Sequence, residues 1–329
     1  MPSVEVSVRP LSLEDGPAVL AVLGASLGWQ DRSVFAEYVQ WKHRSSPFGP
    51  SPGWVAEVDG DVVGVRLFMR WDFRRDGATV RAVRAVDTAT LPSHQGNGIF
   101  RRLTLEGLEA LRADGIEFVF NTPNAQSGPG YLKMGWQEVG TIPLEVRFRP
   151  TRLHRSMRAR AAGERWGLPV DLGIPASAGL TDDGGITDLL AAALPPPSGA
   201  LAIHRTPAYL RWRYAGLPRL GYRIEALGRD LAEGFVIFRL RRRGAATELD
   251  LLDSLLPPAA AKAAQRVVAK LLVDSGADHL VAAAGSAPVR GTIRLRRVGP
   301  ALVWRGVQPG ALRPPLEQWR LNLGDVELF

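Results

Sequence analysis

The chain opens with polar and apolar residues in alternation, VEVSV, a period of two that predicts a strand over Val4–Val8. Between Asp15 and Leu27 the spacing changes, and Val19, Leu20, Val22 and Leu23 crowd one side of a helix. Alternation returns in WVAEVDGDVVGVRLFMRWDF on both sides of Asp59-Gly60, a pair that accepts the positive φ of a tight hairpin. A third strand is predicted over Thr79–Thr90, and a helix over Ile99–Ala113 that Gly115 stops. The apolar run in IEFVFNTPN reads as a buried strand broken at Pro123. SGPGYLKMGWQEVG follows as a loop, a short helix and a turn into a last strand at about Ile142–Arg149. Strands and helices in this order predict a mixed α/β domain over residues 1–150.

Residues 151–200 are richer in Arg, Gly and Pro, and LPPPSG interrupts regular structure, so this stretch is predicted to connect two domains. The second, residues 201–329, carries an echo of the first. YVQWKHRSSPFGPSPGWVAEVDGDVVGVRLF begins at Tyr38 and YLRWRYAGLPRLGYRIEALGRDLAEGFVIF at Tyr209. Each places Trp three residues on (Trp41, Trp212), then a cation (Lys42, Arg213), a proline (Pro47, Pro218) and a hairpin reaching Gly and Phe (Gly64 and Phe68, Gly234 and Phe238). Two related halves follow from this reading.

Composition bounds the chemistry. With 329 residues, 46% of them hydrophobic, the chain can fill two cores. Its net charge of +8 rests on arginine far more than lysine, which fits a polyanionic partner, a phosphorylated cofactor or a GC-rich coding sequence, and the last is favoured because the arginines are scattered through predicted elements and form no solvated tail. Zero cysteines exclude disulfides, thiolate metal sites and cysteine nucleophiles. The five histidines are too dispersed for a zinc-type pair on one helix, so no metal is expected. The N-terminus lacks a signal-peptide pattern and no apolar stretch approaches the ~20 residues of a membrane span, giving a cytoplasmic protein without a membrane partner as the expectation.

HQGNGIFRRL, from His94, holds the sharpest local signal. Gly96 and Gly98 lie between a predicted strand and a predicted helix, where alanine would favour the helix more. A turn without side chains turns backbone N–H groups outward, and the helix N-terminus adds partial positive charge, so the loop can seat an anion. A tight turn with no ligand has the same glycines. Neither the third glycine of a dinucleotide fingerprint nor a G-x-x-x-x-G-K-[ST] motif is present. GASLG at Gly24–Gly28 fits a hydrolase elbow in letters alone, because the residues before its serine read as helix rather than strand.

AVDTATLPSHQGNGIFRRLT followed by FNTPNAQSGPGYLKMGWQEVG resembles the GCN5-related N-acetyltransferase (GNAT) superfamily, over about residues 1–150. Gln95, Gly98 and Phe100 stand at the defining positions of its Q/R-x-x-G-x-G/A signature, with Phe100 departing from the usual Gly or Ala. Asn124, Tyr131, Gly135 and Trp136 match its downstream block. The resemblance implies a mixed-sheet acyltransferase fold and an N-acyltransferase that takes acetyl-CoA, or another acyl-CoA, as cosubstrate. The loop residues Gln95, Gly96, Asn97, Gly98, Ile99 and Phe100 would hold the pyrophosphate, Thr88, Ala89 and Thr90 would pair with the pantetheine, and Asn124 would hydrogen-bond it. The acceptor would be a small-molecule or peptide amine, with nucleic acid not expected. Tyr131 would protonate the departing thiolate. Asp87 would act as a base through water or bind the acceptor's ammonium group.

Plainer readings stand beside these. Tyr131 can simply anchor its helix, Asp87 can pair with Arg84 or Arg101, and Asn124 can cap the segment after Pro123. The second half continues TELDLLDSLL into PPAAAKAAQR without a glycine, so it reads as a degenerate domain that lends shape to the acceptor site. A non-catalytic acyl-CoA sensor, a nucleic-acid-binding module and an aminoacyl-tRNA-dependent transferase are the competing functions.

Overall fold

The structure is a computed structural model that describes residues 5–29, 31–152, 162–286 and 289–326. The chain divides into two compact units. The first holds the residues up to Gly140 together with Ala301–Pro315, and the second holds Thr141–Pro300 with the residues from Leu316 onward. The division therefore comes ahead of the boundary expected at 150, because Leu144–Phe148 pairs with strands of the second unit. Of the expected connecting stretch, residues 153–161 lie outside the described residues and 162–200 belong to the second unit.

In the first unit, β1 (Ser7–Pro10) is followed by α1 (Gly16–Leu27), α2 (Arg32–His43), β2 (Gly53–Val58), β3 (Asp61–Arg75) and β4 (Ala78–Thr90). Then come α3 (Ile99–Ala113), β5 (Phe118–Asn121), α4 (Gly128–Lys133) and β6 (Gln137–Thr141). The opening strand sits later than the alternation suggested, and Val4 lies outside the described residues. The two hairpins turn on Asp59-Gly60 and Asp76-Gly77, all four with positive φ, as two-residue hairpin turns require. Helix α2 was not anticipated. Asp31 caps it by accepting from the backbone N–H groups of Ser33 and Val34, and Tyr38 and Trp41 fall on one buried side.

The sheet order is β1-β2-β3-β4-β5-β15-β6, where β15 (Ala301–Gly306) returns from near the end of the chain and lies antiparallel to β5. Helix α3 buries Ile99, Leu103, Leu108 and Leu111 against Trp54, Phe68 and Val83 of the sheet. The helix comes close enough that a Cβ on Gly107 would sit 2.8 Å from Phe68 and 2.9 Å from Trp54, so this helical glycine is required by packing.

The second unit begins with β7 (Leu144–Phe148), β8 (Ile174–Pro175), α5 (Ala176–Gly179), α6 (Asp183–Ala192), β9 (Leu201–Ile203) and α7 (Pro207–Leu210). It continues with β10 (Arg223–Ala226), β11 (Phe235–Arg243), β12 (Ala246–Leu255), α8 (Ala261–Asp274), β13 (His279–Ala283), β14 (Ile293–Leu295), β16 (Trp319–Arg320) and α9 (Leu323–Val326). One sheet runs β14-β7-β13-β12-β11-β10-β8, and β9 pairs in parallel with β16. The single last strand expected over Ile142–Arg149 is instead β7, separate from β6 across Ile142 and Pro143.

The two related halves are visible in the topology. In the first unit β2-β3-β4 is an antiparallel run, α3 crosses, and β5 lies parallel to β4. In the second, β10-β11-β12, α8 and β13 repeat that order, with β13 parallel to β12. Each unit also seats next to its parallel strand an antiparallel one from elsewhere in the chain, β15 in the first and β7 in the second. The Tyr-x-x-Trp echo has a structural counterpart too, with ring centroids 5.8 Å apart for Tyr38–Trp41 and 6.0 Å for Tyr209–Trp212.

Candidate active site

β4 outlasts its parallel neighbour. Residues Ala82–Arg84 pair with Phe118–Phe120, and β5 ends at Asn121, while β4 runs on to Thr90. From Ala85 to Thr90 the strand is therefore held by β3 on one side and, among the described residues, by no strand on the other. That edge leads into the glycine turn. Gly96 has φ +84° and Gly98 φ +71°, and nothing lies within 4 Å of a Cβ built on either, so the backbone conformation rather than crowding demands glycine. Gly98 is the N-cap of α3 and no side chain caps the helix. Its first-turn N–H groups have no partner within the helix.

Other loop side chains are engaged close to home. Gln95 Nε2 donates to the Thr90 carbonyl at 3.2 Å, and Asn97 Nδ2 donates to the His94 carbonyl at 3.2 Å. Thr88 Oγ1 donates to the Val65 carbonyl at 3.2 Å, and Ala89 is buried. Ser26 of the GASLG stretch lies inside α1 and donates to the Thr90 carbonyl at 3.0 Å, so no hydrolase elbow forms. Asn124 Oδ1 accepts from the N–H groups of Gln126 and Ser127 and from the Ser127 hydroxyl. It caps the turn into α4.

Tyr131, on α4, is buried at 2% exposure. Its ring packs edge-on against Phe100, centroids 5.6 Å apart, and against Trp136 at 5.1 Å. Phe100 is thus folded onto α4, where a Cβ on Gly130 would stand 3.1 Å from its ring. A fully buried guanidinium completes the group, Arg66 NH1 donating to the Tyr131 hydroxyl oxygen at 2.8 Å.

Asp87 stands where β4 bulges. Arg66 pairs with Thr88 and Leu67 with Val86, which leaves Asp87 as the extra residue, with φ +42°. Such a bulge re-aims its side chain, here toward α2. Asp87 Oδ2 lies 2.7 Å from Lys42 Nζ and 2.7 Å from His43 Nε2, so neither Arg84 nor Arg101 is its ion-pair partner. Burial alone would push the Asp87 carboxyl up, but the Lys42 charge and the His43 hydrogen bond hold it well below the usual carboxylate range. Burial pushes the His43 imidazole down, against the pull of Asp87, which favours the neutral ring. With Asp87 ionised, His43 donates from Nε2, and its Nδ1, 2.9 Å from Ser51 Oγ, accepts that hydroxyl proton. Lys42 entered the sequence reading as the cation of the aromatic repeat, and no local pattern links it or His43 to Asp87.

At the matching place in the second unit, β12 leads through Pro257 and Pro258 into α8, and proline has no N–H to offer. Asp253, which follows the bulge in β12, accepts from Arg205 at 2.6 Å and from the Tyr214 hydroxyl at 2.9 Å. Among the described residues no three His, Asp or Glu side chains gather as a metal site, and no helix is long and apolar enough to cross a membrane.

Residues 7–139 match the family model of the acetyltransferase (GNAT) domain. None of the curated proteins is matched by the chain's sequence. Among solved structures, the chain is similar to a GCN5-related N-acetyltransferase from Anabaena variabilis, with TM-score 0.60 and 14% identity over 92% of this chain and 73% of that one. It is similar to another from Kribbella flavida, with TM-score 0.58 and 16% identity over 93% and 72%. Eis1 from Mycobacterium abscessus gives TM-score 0.56 and 17% identity over 92% and 74%. These likenesses span both halves and show the fold.

Proposed function

We propose, for a chain that carries a GNAT acetyltransferase domain over residues 7–139 and is thereby an acyltransferase, that it moves an acetyl or other acyl group from acyl-CoA to a primary amine. One observation carries the reading. The edge of β4 beyond Arg84, which no described strand pairs, runs straight into a turn whose two glycines hold positive φ at the uncapped mouth of α3. The edge offers backbone groups to the amides of a pantetheine arm as an added strand does, and the turn offers N–H groups to a pyrophosphate.

In this reading Thr88, Ala89 and Thr90 align the arm, the loop from Gln95 to Phe100 seats the phosphates, and backbone N–H groups near Thr90 steady the oxyanion. Tyr131 gives its proton to the departing sulfur, whose thiol has an ordinary pKa near ~8.5. Asp87 stays ionised between Lys42 and His43, so it serves better as a fixed negative charge toward the acceptor than as a direct base. Asn124 supports the site from its turn, ahead of α4.

Thiol release from acetyl-CoA, followed across aliphatic amines, amino sugars and peptides, tests the reading. Turnover with at least one amine is expected. CoA binding with no turnover on any of them would replace the transferase by an acyl-CoA sensor.

A further inference from the structure

Arg66 is fully buried, yet among the described residues no carboxylate pairs with it. Its NH1 is used by the Tyr131 hydroxyl, while Nε and NH2 are buried without a hydrogen-bond partner. Rings face its charge, 4.8 Å from the centroid of Phe68, 5.3 Å from Tyr131 and 5.7 Å from Phe100. Ring faces offset part of the desolvation of a guanidinium, but two orphaned charged donors remain costly. A buried cation so placed calls for a negative charge that is not permanently there. Arg66 also pairs across the sheet with Thr88, on the edge assigned above to the acyl donor.

We propose that Arg66 is a positioning residue for acyl transfer, acting through Tyr131; the inference rests on the reading of Tyr131 as the proton donor. Because Arg66 donates to the phenolic oxygen, that oxygen accepts, and its O–H is left to point away from the guanidinium. The amine nitrogen bonds to the thioester carbon, and the carbon–sulfur bond breaks with its electron pair going to sulfur. The Tyr131 proton moves to that sulfur, leaving CoA thiol and a phenolate. The phenolate is the transient anion that Arg66 lacks at rest, and the guanidinium stabilises it until a proton lost by the amine returns through solvent.

The experiment compares two donors, acetyl-CoA and the acetyl thioester of a more acidic aromatic thiol, whose sulfur leaves without protonation. Arg66→Gln is expected to slow transfer from acetyl-CoA by about 10²-fold and from the aromatic thioester by less than about 10-fold. Arg66→Lys, which keeps the charge in the buried site, is expected to fall between. Adding Tyr131→Phe to Arg66→Gln is expected to slow acetyl-CoA transfer little further, since both remove one proton delivery. A readout free of turnover is CoA affinity measured against desulfo-CoA by calorimetry. In the wild type the preference for CoA is expected to grow from pH 7 to pH 9 as the thiol ionises, and in Arg66→Gln to stay flat.

Equal losses with both donors in Arg66→Gln and Arg66→Lys, together with an unchanged CoA preference, would overturn the inference and return Arg66 to packing. Full activity of Tyr131→Phe with acetyl-CoA would instead overturn the reading of Tyr131. A Tyr131→Phe loss that adds fully to that of Arg66→Gln would keep the tyrosine and remove Arg66 from its chemistry.

Discussion

The two units repeat one topology and treat the same place in opposite ways. In the first, β4 leads into a glycine turn, and a buried arginine keeps two donors unpartnered, while the helices that follow, α3 and α8, both start without a side-chain cap. In the second, the corresponding connection is Pro257-Pro258, and Asp253 is met by Arg205 and the Tyr214 hydroxyl from within the unit, while Asn322 Nδ2 in the same cluster is buried without a partner. Arg213, the counterpart of Lys42 in the echo, donates to the Tyr222 hydroxyl and to the Gly324 carbonyl, both at 2.7 Å. Asp325 accepts from the Tyr209 hydroxyl at 2.6 Å. An unpartnered charged donor is the costlier kind to leave in a fold, and Arg66 Nε and NH2 are of that kind, whereas Asn322 Nδ2 belongs to a neutral amide. The glycine turn beside an edge of β4 that no described strand pairs is what places the proposed chemistry in the first unit.

The largest expected effect comes from opening the closed ion pair of the first unit. Lys42→Met leaves Asp87 as a buried charge held by His43 alone, and an urea-unfolding measurement should show a loss of about 3–5 kcal/mol. A loss under 1 kcal/mol would show that the pair contributes little to the fold. Next, Tyr131→Phe should lower turnover with acetyl-CoA by about 10²-fold with CoA affinity nearly unchanged. Tyr209→Phe, in the second unit, should leave acyl-CoA kinetics close to wild type.

The smallest effect separates the two units by pH. Asp87 is held below the ordinary carboxylate value, so its contribution is present above about pH 4 and lost as pH falls below that. His43, also lowered, makes the fold lose stability as pH falls through about 6.5, because the unfolded chain then takes up a proton that the folded chain resists. Burial, with Asp253 nearby, pushes Asp325 up despite Arg205. Its sign is reversed, since the folded state favours the protonated acid and loses stability as pH rises above about 4. Asp325→Asn should remove that decline and change the pH 4 to pH 8 stability difference by about 1 kcal/mol. A profile identical to wild type would mean that Asp325 ionises freely in the fold.

Much of this was legible in the sequence because it is local. Asp59-Gly60 turns a hairpin, and Gly96 and Gly98 hold the conformations that their position implied. Asn124 was read with two possible uses, and it makes the capping bonds. The rest depends on distant pairing. β7 and β15 each lodge in a sheet built largely from the other part of the chain, and no local pattern marks such a pairing. Arg66 occupies an alternating strand position that a sequence reads as a solvated face, whereas in the fold it is buried, with Phe68, Phe100 and Tyr131 packed against its guanidinium. Asp87 owes its partners to a register slip between β3 and β4 that places one extra residue in the strand. Helix α2 could have been found from Asp31 and Ser33 at its start and from the spacing of Tyr38 and Trp41.

The central claim is that one unit binds acyl-CoA and the other does not, and the glycine turn makes that difference. Calorimetric titration of the full chain with acetyl-CoA tests it most directly, run beside Gly98→Asp, which sets a side chain and a negative charge at a φ of +71°. A stoichiometry of ~1 is expected, with binding lost in the variant, because the first strand-to-helix turn carries two positive-φ glycines where the second carries Pro257 and Pro258, which have no N–H to offer. Two equivalent sites, or a single site whose affinity survives Gly98→Asp, would contradict it.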